Sequence, residues 1–265
     1  MSVLLCNGHP ADAEALAAAA LVNYGHFTSM QVRAGAVRGL HLHLQRLRQG
    51  TQALFGTDLD ERRVRADLRA ALAAFGDDDA SLRVTVFSRR FDFRDPLRAV
   101  APDLLVAATP ASALPAPALR LRSLGFVRDS PGLKHVGTFP LFHYRRQALA
   151  AGFDDALFVD PQGSVVEGTV WNLGLWDGRR VIWPQGPALR GTQERLLQAG
   201  LDELGVPQVV QPVPLELLGA KVAAFACNAR GQQVVDSVDG HALARAPELP
   251  ALLQRALETQ PLQPL

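Results

Sequence analysis

The sequence contains little cysteine and no long apolar run. Its two cysteines, Cys6 and Cys227, form neither a CxxC pair nor a Cys/His zinc spacing, which excludes a disulfide framework and favours a reducing compartment. The first residues lack the positive end and the apolar middle of a signal peptide. No stretch of about 18 apolar residues is present, so no membrane-spanning helix is expected. These absences predict a cytoplasmic protein that does not bind membranes.

No charge of one sign dominates the chain. There are 27 basic and 26 acidic residues, with a net charge of +1 and no long block of like charges. This balance excludes nucleic-acid binding through a broad basic surface. The GxGxxG, P-loop, GxSxG and HExxH motifs are also absent. The sequence therefore lacks the motifs that usually indicate a nucleotide-binding, serine-hydrolase or metalloprotease site. With 48% hydrophobic residues in a chain of 265, there is enough apolar material for a folded core.

Lysine is scarce. Only Lys134 and Lys221 occur among the 27 basic residues, a bias that a GC-rich genome explains without any function. Lys134 has apolar Leu133 and Val136 beside it, and a desolvated lysine favours the neutral, nucleophilic amine that Schiff-base chemistry needs. An ordinary surface lysine is the alternative. Lys221 precedes a predicted strand and is more simply a strand-edge charge.

Hydrophobic periodicity predicts an α+β chain in two parts. Helices are predicted at residues 43–55, 61–75, 139–151 and 192–204. Strands are predicted at 82–87, 104–108, 156–160 and 222–227, and a meander of short antiparallel strands at 164–166, 170–176 and 179–183. The proline-rich residues 109–119 are incompatible with a helix or a central strand. We therefore predict an N-terminal α+β domain at 1–109, a linker at 110–120 and a C-terminal domain at 121–265.

Charged and histidine side chains in three places have potential chemistry. Glu167 follows a predicted strand in an apolar neighbourhood, and a buried carboxylate needs a cationic or hydrogen-bonding partner; an exposed turn residue is the alternative. Arg46 shares a helix face with His43, and a guanidinium suits phosphate, although a solvated helix arginine is the simpler interpretation. His41 and His43 would share one side of a strand, but no third ligand accompanies them, so no metal site is predicted.

Two segments have the features of an anion-binding backbone. Residues 189–194 form a helix entrance, where free N–H groups and the helix dipole favour an anion. Residues 225–231 end a strand in small and polar residues, which form either an anion cradle or a simple turn. Neither segment is diagnostic by itself.

The most specific pattern is a lysine followed some thirty residues later by GxVxEGxxxN. It occurs together with matching segments at 24–28, 43–47, 133–135, 152–160, 163–168, 189–193 and 227–229. In order and spacing these segments resemble the class IV aminotransferase family, the fold-type-IV pyridoxal-phosphate enzymes, which include branched-chain and D-amino-acid aminotransferases and 4-amino-4-deoxychorismate lyases. The resemblance implies an α+β fold with a small N-terminal α/β domain and a larger, strand-rich C-terminal pseudo-barrel domain.

The resemblance also implies roles for individual residues. Lys134 would form the internal aldimine with pyridoxal 5′-phosphate and later move a proton on the substrate. Glu167 would pair with the pyridine nitrogen, and Arg46 would bind the phosphate. Backbone amides would complete the phosphate site at Thr192, Gln193, Asn228 and Ala229. The implied partners are amino-acid and 2-oxo-acid substrates, and a second copy of the chain in a homodimer.

Departures from the family pattern leave the reaction open. Phe139 occupies the position where many transaminases of the family have a tyrosine near the cofactor, and the first motif, residues 23–28, is shortened. The pairs Phe27-Thr28 and Lys134-His135 and the segment 227–229 are more similar to the aminodeoxychorismate lyases. In those enzymes, a threonine at the position of Thr28 is a candidate for handling protons.

Candidate substrate contacts lie at Tyr24, at His26 and at an arginine that would bind the substrate carboxylate. The arginines in the expected region are Arg83, Arg89, Arg90 and Arg94, and the sequence does not choose among them. The favoured interpretation is a pyridoxal-phosphate-dependent aminotransferase. A 4-amino-4-deoxychorismate lyase, which releases pyruvate and 4-aminobenzoate, and a non-catalytic binding protein of the same fold are the alternatives.

Overall fold

The computed structural model describes residues 2–111 and 117–265, which form two compact units. The first unit contains residues 2–111, 133–137 and 261–265, and the second contains residues 117–132 and 138–260. None of the helices in these described ranges combines the length and the apolar character needed to cross a membrane.

The strands and helices are numbered in chain order. The strands are β1 (Val3–Cys6), β2 (His9–Pro10), β3 (His26–Arg33), β4 (Ala36–Arg38), β5 (Ala80–Phe87), β6 (Asp103–Pro110), β7 (Leu119–Gly125), β8 (Asp155–Val159), β9 (Val165–Gly168), β10 (Asn172–Trp176), β11 (Val181–Pro184), β12 (Gln208–Gln211), β13 (Ala223–Asn228), β14 (Gly231–Val238), β15 (His241–Ala242) and β16 (Leu262–Pro264). The helices are α1 (Ala13–Leu21), α2 (Leu40–Phe55), α3 (Glu61–Phe75), α4 (Phe139–Ala150), α5 (Thr192–Glu203) and α6 (Leu249–Glu258).

Within the described residues, the first unit contains a seven-stranded sheet in the order β16-β4-β3-β5-β6-β1-β2. Every neighbouring pair is antiparallel. Successive side chains of a strand point to opposite faces, so Met30 of β3 enters the core with Leu47 of α2 and Leu68 of α3, all three fully buried. Phe27 and Arg83 lie on the other face and contact each other. One face of the sheet is therefore apolar and covered, and the other carries charged groups.

The second unit contains a nine-stranded mixed sheet, as far as the structure describes the chain. Its order is β12-β11-β10-β13-β14-β7-β8-β9, with β15 beside β14. Parallel pairs join β11 to β12, and β7 to both β14 and β8. Helices α5 and α6 pack closely because Gly200 has no side chain; a Cβ there would overlap the carbonyl oxygen of Ala256. This sheet carries the segments around Glu167 and Asn228.

The predicted α+β class and the four predicted helices are confirmed. Helix α3 has the predicted bounds, α2 begins earlier at Leu40, and α4 ends at Ala150, shortly before Gly152 with its φ of +84°. The predicted strands at 82–87, 104–108, 156–160 and 222–227 overlap β5, β6, β8 and β13. Helices α1 and α6 and strand β3 were not predicted. Helix α1 is alanine-rich and has little amphipathic contrast, so its sequence gives no clear period.

The predicted meander is confirmed for the antiparallel pair of β10 and β11, but its step from β9 to β10 is wrong. Strand β9 pairs with β8, and β10 pairs with β11 and β13, so no ladder joins β9 to β10. Between them the chain bends tightly: the N–H of Gly168 donates to the carbonyl of Trp171 (2.9 Å), and a Cβ at Gly168 would overlap the Trp171 ring. Strands β9 and β10 are buried on both faces. Their sequences therefore lack the alternation of polar and apolar residues from which strand pairing can be predicted.

The structure differs from the expected domain bounds at two segments. Residues 133–137 belong to the first unit, because the Phe27 N–H donates to the Lys134 carbonyl (2.8 Å) and the Val136 N–H to the Gly25 carbonyl (3.0 Å). Residues 261–265 also belong there, through antiparallel pairing of β16 with β4. Of the predicted linker at 110–120, residues 112–116 lie outside the described residues. Its ends are strand, since β6 extends to Pro110 and β7 begins at Leu119. Such long-range pairing leaves no mark in local composition.

Candidate active site

Lys134 is held against β3 by backbone hydrogen bonds. A turn at Pro131–Gly132 precedes it, and an antiparallel bridge pairs His135 with His26. Lys134 is thus the cross-strand neighbour of Phe27, with its Nζ 4.9 Å from the centroid of the Phe27 ring. Lys134 is only partly buried. The structure therefore presents the amine on the charged face of the first sheet.

Thr28 and His43 form a hydrogen-bonded pair on the opposite face of β3. Thr28 Oγ1 lies 2.7 Å from His43 Nδ1, and both side chains are buried. The pKa of His43 is lowered to about 3, mainly by burial and also by the nearby charges of Arg46, Lys134 and His41. His43 is therefore neutral at physiological pH. The hydroxyl of Thr28 contacts His43 on the helix side of the strand, and its predicted role in handling protons stays a prediction.

Arg46 lies one turn after His43 on α2 and is partly buried. Its charge and that of Lys134 both act on the His43 ring, so these two cations lie in the same part of the first unit. A cation held beside a second cation is suited to an anionic ligand. This arrangement agrees with the phosphate-binding role predicted for Arg46, which remains a prediction.

The placement of His26 and Tyr24 does not support their predicted substrate contacts. His26 is 1% exposed, with Nε2 3.0 Å from Thr51 Oγ1, and burial lowers its pKa to about 4. Tyr24 donates its hydroxyl to the Leu54 carbonyl (3.0 Å) and stacks on Phe91 with centroids 4.2 Å apart. Packing within the first unit accounts for both residues.

Glu167 is buried in an ion pair that the sequence did not predict. Arg128 Nε donates to Glu167 Oε1 at 2.5 Å, and the two side chains are 8% and 3% exposed. The Leu189 N–H donates to the other carboxylate oxygen at 3.3 Å. A buried Glu167 requires a cationic or hydrogen-bonding partner. The sequence does not identify Arg128 as that partner, because most of the 27 basic residues are arginines.

The start of α5 has the geometry of an anion-binding helix end. Asn172 donates to the Leu189 carbonyl (2.8 Å) and accepts from the Gly191 N–H (3.0 Å), so one side chain fixes the entrance loop. A Cβ at Gly191 would overlap Asn172 Oδ1. Gly191 caps the helix without a side-chain hydrogen bond, so the first-turn amides of Thr192 and Gln193 are suited to bind an anion.

The turn between β13 and β14 lies next to this helix start. Asn228 donates to the Val170 carbonyl (3.3 Å) and accepts from the Arg230 N–H (2.9 Å), with Ala229 between them. Gln193 Nε2 contacts Gln232 Oε1 at 3.5 Å, which links α5 to β14. The four residues predicted to supply amides to the phosphate therefore belong to one region of the second unit.

Two of the four candidate arginines, Arg83 and Arg89, have different surroundings. Arg89 is held by Asp103, through its backbone N–H (2.8 Å) and its Nη2 (3.1 Å), and its Nη1 lies 3.6 Å from Asp12. Burial raises the pKa of the Asp103 carboxyl, but these hydrogen bonds and one from Asn7 outweigh it and hold the pKa below its usual value. Arg83 instead packs on Phe27, with Cζ 3.6 Å from the ring centroid.

Comparison with known proteins gives the family. A model of the amino-transferase class IV family matches residues 25–234, and a comparison with curated proteins found no match. The structure is similar to 4-amino-4-deoxychorismate lyase from Pseudomonas aeruginosa, with 27% identity, a TM-score of 0.81, and coverage of 97% of this chain and 98% of the other.

Two further solved structures show the same fold at lower identity. A branched-chain aminotransferase from Thermoproteus uzoniensis, solved with norvaline, has 20% identity, a TM-score of 0.84 and coverage of 97% and 94%. A hypothetical aminotransferase from Mycobacterium tuberculosis in its PLP-bound form has 21% identity, a TM-score of 0.80 and coverage of 98% and 99%.

The fold and the family match define an enzyme of fold type IV, the class that uses pyridoxal phosphate. The chain belongs to the class IV aminotransferase family.

Proposed function

We propose that the protein is a pyridoxal-phosphate-dependent aminotransferase that transfers an amino group between an amino acid and a 2-oxo acid. The observation that carries the proposal is the position of Lys134. Its backbone is fixed to β3, while its Nζ lies on the charged sheet face, 4.9 Å from the Phe27 centroid. A reacting amine must be held in place and still be reachable by substrate. Lys134 meets both requirements, whereas Lys221 is an exposed residue in a turn before β13.

The residues of this chain fit the chemical groups of the cofactor. A phosphate needs cations and free N–H groups, which we assign to Arg46 and to the amides of Thr192, Gln193, Asn228 and Ala229. The open helix end is preserved by Gly191, where a Cβ would overlap Asn172 Oδ1. A pyridine nitrogen needs an ionised carboxylate, which we assign to Glu167, held by Arg128 at 2.5 Å.

We assign the chemical steps to few side chains. When bound, pyridoxal phosphate supplies an electron sink for breaking bonds at the substrate α-carbon. Lys134 Nζ would remove the proton from the substrate α-carbon and hold it for redelivery, which requires a mobile amine close to the substrate. Glu167 holds a proton on the pyridine nitrogen, and Arg128 keeps that carboxylate charged and oriented. We retain Thr28 as a candidate for proton handling through its hydrogen bond to His43.

The second candidate is a 4-amino-4-deoxychorismate lyase. It is favoured by the 27% identity with the lyase from Pseudomonas aeruginosa over almost the whole of both chains. The transferase and the lyase differ in products: the lyase releases pyruvate and 4-aminobenzoate from aminodeoxychorismate, and the transferase aminates a 2-oxo acid. We also propose that the enzyme is a cytoplasmic homodimer, as the family resemblance implies.

The experiment is reconstitution of the purified protein with pyridoxal phosphate. We expect visible absorbance that borohydride removes, and a Lys134→Ala variant without that absorbance. Lys221→Ala is the matched control and should keep it, because Lys221 is exposed and has no assigned role. A protein that never acquires the absorbance would be a non-catalytic relative, and loss in Lys221→Ala alone would refute the assignment. A panel of amino donors, with aminodeoxychorismate in a parallel assay, then separates transferase from lyase.

A further inference from the structure

Glu194 is a buried carboxylate in the first turn of α5, the helix whose start we assign to the phosphate. Its side chain is 1% exposed, and it directly follows Thr192 and Gln193 in the helix. One carboxylate oxygen, Oε1, accepts from Arg190 Nη1 (3.1 Å) and from Gln198 Nε2 (3.3 Å). The other, Oε2, is buried as well, and no group of the described residues hydrogen-bonds to it. The carboxylate is therefore satisfied on one oxygen only.

This carboxylate lies close to both backbone segments that we assign to the phosphate. At the start of α5, a Cβ on Gly191 would lie 3.9 Å from Glu194 Cβ. On the sheet side, burial raises the pKa of the Cys227 thiol and the charge of Glu194 raises it further. Cys227 immediately precedes Asn228 at the end of β13. A negative charge on Glu194 therefore acts near the start of α5 and near the turn after β13.

The surroundings of Glu194 favour its neutral form. An ionised carboxylate needs donors at both oxygens, and a buried oxygen without a donor destabilises the charged state. The charged and titratable groups that face Glu194 are Arg190, from the loop before α5, and Cys227, from β13. Arg190 is 37% exposed and also donates to the carbonyls of Pro184 and Gly186. Burial raises the pKa of Glu194, against the lowering effects of Arg190 and of hydrogen bonds.

We propose that Glu194 controls the anion affinity of the α5 start by carrying a proton: the site binds a dianionic phosphate group while Glu194 is protonated, and its affinity falls when Glu194 ionises. The inference rests on the proposed function, since it takes this helix start as the phosphate site. An acidic side chain in the first turn offsets the helix dipole that attracts an anion. Two negative charges held close together also repel each other. Where Glu194 is ionised, anion binding is therefore accompanied by transfer of one proton from solvent to the carboxylate.

The test is calorimetric titration of the cofactor-free, full-length protein with sulfate at constant ionic strength. Sulfate is the probe because it stays a dianion where phosphate titrates. We expect its Kd for the original protein to rise about tenfold or more between about pH 5 and pH 8, as Glu194 ionises. Glu194→Gln keeps the shape of the side chain without the charge. Its Kd at the upper pH should be about tenfold lower than that of the original protein and nearly independent of pH.

Glu203→Gln is the matched control, because Glu203 is an exposed carboxylate at the other end of α5. This variant should keep the pH profile of the original protein. The same titrations in two buffers with different heats of ionisation count the protons taken up with sulfate. We expect an uptake of up to one proton in the original protein and in Glu203→Gln, and a smaller uptake in Glu194→Gln. The proton count of the original protein needs no variant, so it decides the proposal even if Glu194→Gln does not fold.

Several results would overturn the role of Glu194. These are sulfate binding by the original protein without proton uptake, no sulfate binding at any pH, or the original pH profile in Glu194→Gln. Weaker sulfate binding by Glu194→Gln at every pH would also overturn it, because that is the result of a purely structural role. A failure of the proposed function is distinguishable, since the original protein would then acquire no cofactor absorbance, whatever its sulfate titrations show.

Discussion

The two units bury polar groups in different ways. In the first unit, His43 and Thr28 form a buried pair in which the pKa of His43 is lowered to about 3, so the pair is neutral. In the second unit, Arg128 and Glu167 are buried as an ion pair at 2.5 Å. The first arrangement adds no further positive charge near Arg46, and the second preserves a negative charge on Glu167. Burial therefore favours the neutral form of His43, whereas Glu167 is buried together with a cationic partner.

The largest expected effect comes from breaking the ion pair of the second unit. Arg128→Met leaves Glu167 buried without its cation, which should reduce the free energy of unfolding by about 3–5 kcal/mol. Urea denaturation of the cofactor-free protein measures this loss. A second change, Glu167→Gln, should recover part of it, because a neutral amide is easier to bury than an unpaired carboxylate.

Arg120→Met is the matched control for this experiment. Arg120 pairs with Asp154 at 3.0 Å in the same unit, but these side chains are 56% and 36% exposed. Exposed ion pairs contribute little to stability, so this variant should unfold almost as the original protein does. Equal losses in Arg128→Met and Arg120→Met would show that burial of the pair does not matter.

A smaller effect is expected from the loop that begins α5. Gly191→Ala places a Cβ against Asn172 Oδ1, an atom already fixed by its hydrogen bond to the Gly191 N–H. Relieving such an overlap typically costs about 1–3 kcal/mol, and we also expect weaker binding of inorganic phosphate by the cofactor-free protein. Gly186→Ala is the control, because its Cβ would lie 3.6 Å from the Val166 side chain, an ordinary contact. Equal free energies of unfolding and equal phosphate affinities of Gly191→Ala and Gly186→Ala would contradict the close approach of Gly191 to Asn172.

Near neutral pH, the smallest effect is a pH dependence of the first unit, which grows as the pH falls. Because the pKa of His43 is lowered from 6.5 to about 3, the unfolded chain binds a proton below pH 6.5 that the folded chain does not. Stability is therefore complete above that pH and falls by about 1.4 kcal/mol per pH unit between 6.5 and 3. His26, with a pKa of about 4, adds a similar slope over a shorter range.

The difference between the original protein and His43→Asn isolates this contribution. Urea denaturation at several pH values should show a shallower acid slope in His43→Asn, whereas replacement of an exposed histidine whose charge does not act on His43, in His241→Asn, should leave the slope unchanged. The comparison removes the opposite contributions of Asp67 and Glu194, whose pKa values are raised by burial. Parallel slopes in all three proteins would contradict the neutral state assigned to His43.

Local features of the structure were predictable where the sequence contains a local cause. Helix α3 has the predicted bounds, because its apolar side chains recur with the helical period and Gly76, with a φ of +78°, follows its last residue. The candidate residues Lys134, Glu167 and Arg46 were identified from order and spacing. The bounds of α3 depend on residues close together in the chain, whereas the roles of Lys134, Glu167 and Arg46 were implied by the family resemblance.

The remaining features depend on long-range pairing. The bridge between His135 and His26 and the ladder between β16 and β4 join distant segments, so composition could not assign residues 133–137 and 261–265 to the first unit. For the same reason Arg128 was not identified as the partner of Glu167. Arg83 and Arg89 became distinguishable only when their neighbours on the sheet were known.

The central claim is that Lys134 is the residue that reacts with the cofactor. The most direct measurement is borohydride reduction of the reconstituted protein followed by peptide mapping by mass spectrometry. The claim predicts one added pyridoxyl-phosphate group on the peptide that contains Lys134 and none on the peptide that contains Lys221. Modification of Lys221 alone, or of neither lysine, would contradict it.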